Sequence, residues 1–145
     1  MEAYRSLRML QGATSVGVSF QRYGELLQSF SGEVLILRDR ATTPADKYVA
    51  DAYATALSHY KDSYDLWSEK VDDAQYSWIP KGNIAVTGKV ADIVQRQGIP
   101  TDPLKSPYVQ GWRMIPETWV QRLWQRGESA TASADSVILG KKHVS

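Results

Sequence analysis

Histidine is the side chain that ordinarily changes charge near neutral pH, so acid–base chemistry is sought there first. The chain has two. His59 stands beside Tyr60 in an acidic stretch with helical patterning, and His143 lies among the last three residues. A lone histidine makes a poor zinc site, and His-Glu-x-x-His is absent. Beside an apolar seam His59 reads as structural. Paired with a carboxylate such as Asp62, it is the one set from which a small hydrolase or transferase could be built. His143 reads as a solvated tail residue.

Carboxylates pair at Asp62 with Asp65, Asp65 with Glu69, and Asp72 with Asp73. Acids three or four apart share a helix face and could chelate a metal. Helical di-metal sites, however, expect Glu-x-x-His and glutamates on several helices, neither of which occurs. The pairs therefore read as a solvated face. No Gly-x-Ser-x-Gly elbow, Gly-x-Gly-x-x-Gly or Walker loop occurs either. Gly88-Lys89-Val90 places an apolar residue where a phosphate loop needs a hydroxyl. Cysteine is absent, which removes thiolate chemistry and disulfides. No catalytic, cofactor or metal-ligating set is assigned.

One constellation stands out. Trp112, Arg113, Trp119, Arg122, Trp124 and Arg126 fall within fifteen positions. Arginine with tryptophan can stack on and neutralise an anionic or aromatic partner, and both are enriched at interface hot spots. Helical geometry places Trp119, Leu123 and Arg126 on one side, with Arg122 and Trp124 elsewhere. The competing reading puts the rings in the core and lets the arginines snorkel to water. Tyr76 and Trp78, in a loop, complete the set. The candidate ligand or partner surface is thus Tyr76, Trp78, Trp112, Arg113, Trp119, Arg122 and Arg126.

The elements that must carry these residues are helices. Phe20, Tyr23, Leu27, Phe30, Val34 and Leu37 recur at alternating steps of three and four. Val49, Tyr53, Ala56, Tyr60, Tyr64, Trp67 and Val71 form a second stripe, the pattern by which two helices pack. Ser19 is a good N-cap for a helix over 19–40. Thr43-Pro44-Ala45-Asp46 starts another over 43–73, with proline at the first helical position and an acid at the third. Gly24 and Gly32 each cost about 1 kcal/mol inside a helix and suggest close approach of a neighbour. A first short helix covers about 2–11 with Leu7 and Leu10 inward, and Gly12 and Gly17 predict a bend or break beyond it.

From Ala74 the pattern changes. Residues 75–88 contain Pro80, Gly82, Asn83 and Gly88 and read as an aromatic-rich structured loop. Lys89–Gln97 is a short amphipathic helix capped by Gly98. Pro100, Pro103 and Pro107 forbid helix through the connection that follows. A last helix over about 116–138 carries Trp119, Leu123, Arg126 or Gly127, Ala130, Ala134 and Val137 inward, and a tail at about 140–145 frays. The prediction is one all-α domain over 1–145, an antiparallel three- or four-helix bundle.

At 145 residues the chain can bury a core of its own. Net charge is +1, which gives no global steering toward nucleic acid, and no nucleic-acid partner is expected. The charge is unevenly placed: residues 43–73 hold three basic and seven acidic groups, and residues 74–145 nine basic and five acidic. Two facing parts of one fold account for that, as does a basic partner-binding surface; a protein partner and self-association are both open. No stretch approaches the roughly 20 apolar residues of a transmembrane helix. Met1-Glu2-Ala3-Tyr4-Arg5 has no apolar run of signal-peptide type, so either the protein is cytoplasmic or an export signal has been left out.

Leu7-Arg8-x-Leu10, Val16-Gly17-Val18-Ser19-Phe20-x-x-Tyr23, and His59-Tyr60 with Trp67 seven residues on from Tyr60 resemble a family of small uncharacterised bacterial proteins. The likeness covers roughly residues 5–70 and touches the Trp119 helix. It implies an all-helical fold and a periplasmic or lipoprotein-like, envelope-associated location. This chain departs from the family in having Phe20 where an aromatic hydroxyl is common, and in showing no signal. The resemblance carries no activity, cofactor or catalytic residue.

Overall fold

A computed structural model describes residues 1–144, with side chains as far as Gly140. The chain is mostly helical: α1 Glu2–Val16, α2 Phe20–Arg40, α3 Pro44–Asp73, α4 Lys89–Gln97 and α5 Trp119–Val144. Three short strands, β1 Asn83–Ala85, β2 Asp102–Pro103 and β3 Arg113–Pro116, lie between α3 and α5. The chain divides into two compact units, Met1–Lys61 with Leu123–Ser145, and Asp62–Arg122.

Local chemistry sets the helix ends. The Ser19 hydroxyl accepts from the Arg22 N–H at 3.1 Å, so α2 starts at Phe20. At α3, Thr43 Oγ1 accepts from the Asp46 N–H at 3.0 Å. The Asp46 carboxylate in turn accepts from the Thr43 N–H at 3.4 Å, closing a reciprocal cap. Helix α1 is not broken at Gly12. It runs on to Val16 and stops at Gly17, whose φ of 103° lies outside the range of other residues. Helix α4 keeps its expected bounds, and Gly98 ends it in the left-handed conformation. Helix α5 begins at Trp119, three residues beyond Pro116, because Pro116 belongs to β3. It continues to Val144, past the expected end at 138. The side chain of His143 lies outside the described residues.

The first unit is built on the predicted seams. Tyr23, Leu27, Phe30 and Val34 of α2 are buried, as are Val49, Tyr53, Ala56 and Tyr60 of α3. The Phe30 ring meets Tyr53 at 6.0 Å and Tyr60 edge-on at 6.2 Å. The Tyr23 hydroxyl donates to the Tyr60 carbonyl at 2.8 Å, which satisfies a phenol that burial would otherwise penalise. Trp124 of α5 packs on Tyr23 at 5.5 Å. Gly32 is no point of close approach, since a Cβ there would meet nothing within 4 Å. The close approach is at Gly127, where a Cβ would stand 2.6 Å from the Tyr60 ring.

The second unit corrects the strand-free expectation. Strand β3 lies between β1 and β2, antiparallel to both, pairing Ile84 with Ile115 and Asp102 with Met114. Backbone bonds from Val86 to Arg113 and from Leu104 to Trp112 extend the two ladders. Prolines 100, 103 and 107 exclude helix here, and Pro103 takes an edge strand where its missing N–H is harmless. Ile84, Ile93, Ile115 and Leu66 have no exposed surface. The lower part of the predicted α3 stripe does not hold: Tyr64 and Trp67 are half-buried and Val71 is 53% exposed. Asp62, Ser63, Leu66 and Asp73 are buried instead.

Candidate functional site

The carboxylates read as a solvated face behave in two ways. Asp72 is exposed, but Asp62 and Asp73 are buried, which overturns the solvated reading for both. Arg96 at the end of α4 donates to both Asp62 oxygens, at 3.1 and 3.0 Å, and the Gln97 amide adds a bond of 2.8 Å. Asp62 is a clamp for α4, and a buried carboxylate is tolerable because it is paired and fully bonded. Asp73 accepts from the Ala85 N–H at 2.9 Å, tying the end of α3 to β1.

Beside Asp73 opens a cleft of about 810 Å³. Its walls include Lys70, Asp73, Tyr76, Ser77, Lys81, Asn83 and Glu117. Lys70 pairs with Glu117 at 3.3 Å with both side chains partly in water, so the pair orients more than it stabilises. Burial pushes the Asp73 carboxyl up from its ordinary value, against the pull of the Ala85 N–H. Glu69, one turn back, is pushed up too, by burial first, then by the charges of Asp73 and Asp72 and its hydrogen bond to Asp73. The two carboxyls, hydrogen-bonded to one another, titrate as a coupled pair.

The predicted surface divides around this cleft. Tyr76, Trp78 and Trp112 come together as a chain of rings, with centroids 5.5 Å apart at each step. Tyr76, 45% exposed, belongs to both the chain and the cleft wall. Trp78 and Trp112 rest on a small apolar cluster of Ile79, Ala85 and Leu104, with Val109 and Met114 beside it. The cationic half of the surface is engaged elsewhere. Arg113 Nη2 donates to the Thr101 carbonyl at 2.6 Å and Nε donates to the Thr101 hydroxyl, fastening the approach to β2. Arg122 lies 4.8 Å above the ring of buried Trp119, to which helical spacing had not assigned it. Arg126 is half-buried and belongs to the first unit.

His59 is half-buried. Among the described residues, no group of three or more histidines and acids is placed to hold a metal, and no helix is long and apolar enough to cross a membrane. Sequence reasoning missed Lys70, Ser77, Lys81, Asn83 and Glu117. They lie in three separate segments, and no local spacing marks residues that only the sheet brings together. Set against known proteins, the chain matches no family model, no curated protein and no solved structure.

Proposed function

We propose that the protein is a non-enzymatic binding module whose contact surface is the aromatic chain and cleft of the second unit. Its first unit is read as an antiparallel helical bundle, since residue pairs Tyr23 with Tyr60 and Phe30 with Tyr53 run in opposite order along α2 and α3. The observation that carries the binding reading is the Tyr76–Trp78–Trp112 chain, which leaves aromatic surface beside a polar cleft. Such rings are the anchors of peptide and protein interfaces, with charged groups at the rim setting orientation. Lys81 supplies a cation that makes no ion pair among the described residues, and Asn83 and Ser77 supply hydrogen-bonding groups. An extended peptide segment with an aromatic residue and a carboxylate fits that chemistry. The alternative, a small hydrolase or transferase using His59 with a nearby carboxylate, is the weaker reading, because Arg96 and Gln97 already hold both Asp62 oxygens.

Random-peptide display selected on the wild type, with the enriched peptides then measured on Trp78→Ala, tests the proposal. Enriched peptides should share an aromatic residue and an acid and lose binding on the variant. Peptides that bind both proteins equally would place the contact surface elsewhere. The resemblance to exported helical proteins adds the proposal of an envelope location. The coding sequence upstream of Met1 tests it, and a ribosome-binding site directly before Met1 would remove it.

A further inference from the structure

The first unit holds a cleft of its own, about 480 Å³ in volume, lined by Arg8, Gln11 and Gly12 of α1 and by Glu128, Ala132 and Asp135 of α5. Two of its polar side chains are held from behind by tyrosines with no exposed surface. The Tyr53 hydroxyl donates to Asp135 Oδ1 at 2.6 Å, which directs the remaining lone pairs of that carboxylate outward. The Gln11 amide donates to the Tyr60 hydroxyl at 3.4 Å, and its second N–H stays available. Burial raises both phenols, Tyr60 to about 12, so each stays neutral at physiological pH. Groups fixed this way from a buried second layer are preorganised for a ligand.

Small residues keep the cleft open. Gly12 sits within α1, where glycine weakens the helix. Its φ is not positive, and a Cβ there would meet nothing within 4 Å, so neither backbone nor packing requires it. What a side chain at position 12 would fill is the cleft. Charge is divided across the walls, with Arg8 on α1 and Glu128 and Asp135 on α5. A dianion would meet two carboxylates and a dication would meet the guanidinium, whereas a molecule carrying both charges satisfies each wall. The volume falls within the roughly 300–1,000 Å³ of small-molecule sites.

We infer that this cleft binds a small zwitterion of the amino-acid or short-peptide class. Its carboxylate lies on Arg8 and the Gln11 amide, and its ammonium on Asp135 and Glu128. Calorimetric titration of the full chain with glycylglycine tests this, with putrescine and succinate as the doubly charged comparisons. The expected result is saturable glycylglycine binding at least tenfold tighter than either comparison. Gly12→Leu should weaken it tenfold or more while the melting temperature holds or rises, since leucine favours the helix. Arg8→Gln, at an exposed position, should erase the preference over putrescine. Absence of saturable glycylglycine binding, tighter binding of putrescine or succinate, or undiminished binding by Gly12→Leu would each overturn the assignment.

Discussion

Gly127 and Tyr60 are packed so closely that a Cβ at position 127 would lie 2.6 Å from the tyrosine ring. That contact explains a glycine in the middle of α5, where helix propensity alone would choose alanine. The ring it admits has no exposed surface, bonds to Gln11 through its hydroxyl and meets Phe30 edge-on. Tyr60 is thus the point at which α1, α2, α3 and α5 touch one residue.

Gly127→Ala should therefore destabilise the protein by about 1–3 kcal/mol through overpacking, despite its helix-favouring side chain. Gly32→Ala, with open space around it, should stabilise by about 0.5–1 kcal/mol. Denaturant unfolding of the two variants gives opposite signs if the packing is as described. Tyr60→Ala should lose about 3–5 kcal/mol, and Trp67→Ala, half-buried, distinctly less.

Asp62 carries the α4 clamp. Asp62→Ala should cost about 2–4 kcal/mol, because Arg96 and Gln97 lose their acceptor together and α4 loses its tie to α3. Arg96→Ala should cost at least as much, about 3–5 kcal/mol, because it leaves the buried Asp62 carboxylate without its counter-charge and with only the Gln97 bond. A distinctly smaller loss from Arg96→Ala than from Asp62→Ala would show that Gln97 and water suffice to hold the buried carboxylate.

The Glu69–Asp73 pair gives a pH signature. Both carboxyls titrate above their unfolded values, so the folded chain holds protons that the unfolded chain releases. Their contribution is favourable at acid pH and is lost as pH rises through the raised carboxyl values. Glu69→Gln should stabilise at neutral pH and flatten the dependence just above the usual carboxylate range. Thermal unfolding across that range checks the sign, and a variant less stable at neutral pH would reverse it.

Two arginines of the predicted surface, Arg113 and Arg122, are engaged within the chain. Arg113→Glu removes two bonds to Thr101, and Arg122→Glu removes the cation above Trp119. Light scattering and thermal unfolding together should show both variants less stable with the assembly state of the wild type unchanged. Dissociation of an assembly with full retention of stability would assign them to an interface instead.

Much of the helical frame was legible because each element announces itself locally. Stripes at three- and four-residue steps, the Thr43–Asp46 cap and the Gly98 stop are all written within a few positions. The sheet was not legible, since strands of two to four residues are shorter than the alternation that reveals a strand. The lower α3 stripe misled because Tyr64, Trp67 and Val71 continue the spacing while Leu66 and Asp62 take the buried positions. Tyr76, Trp78 and Trp112 stand out by residue type, yet Trp112 lies far along the chain from Trp78, and only packing on the Ile79–Ala85–Leu104 cluster brings the two rings together.

The proposed contact surface is the Tyr76–Trp78–Trp112 chain with its cleft. Tryptophan fluorescence titration with a display-selected peptide, on wild type and on Tyr76→Ala, tests it most directly. Tyr76 is 45% exposed, so the variant should fold normally, and removing a hot-spot ring should weaken binding by about tenfold or more. Emission should shift on binding, because Trp78 stands next to Tyr76 in the chain. Equal affinity for both proteins, or binding that leaves the emission unmoved, would place the contact surface elsewhere.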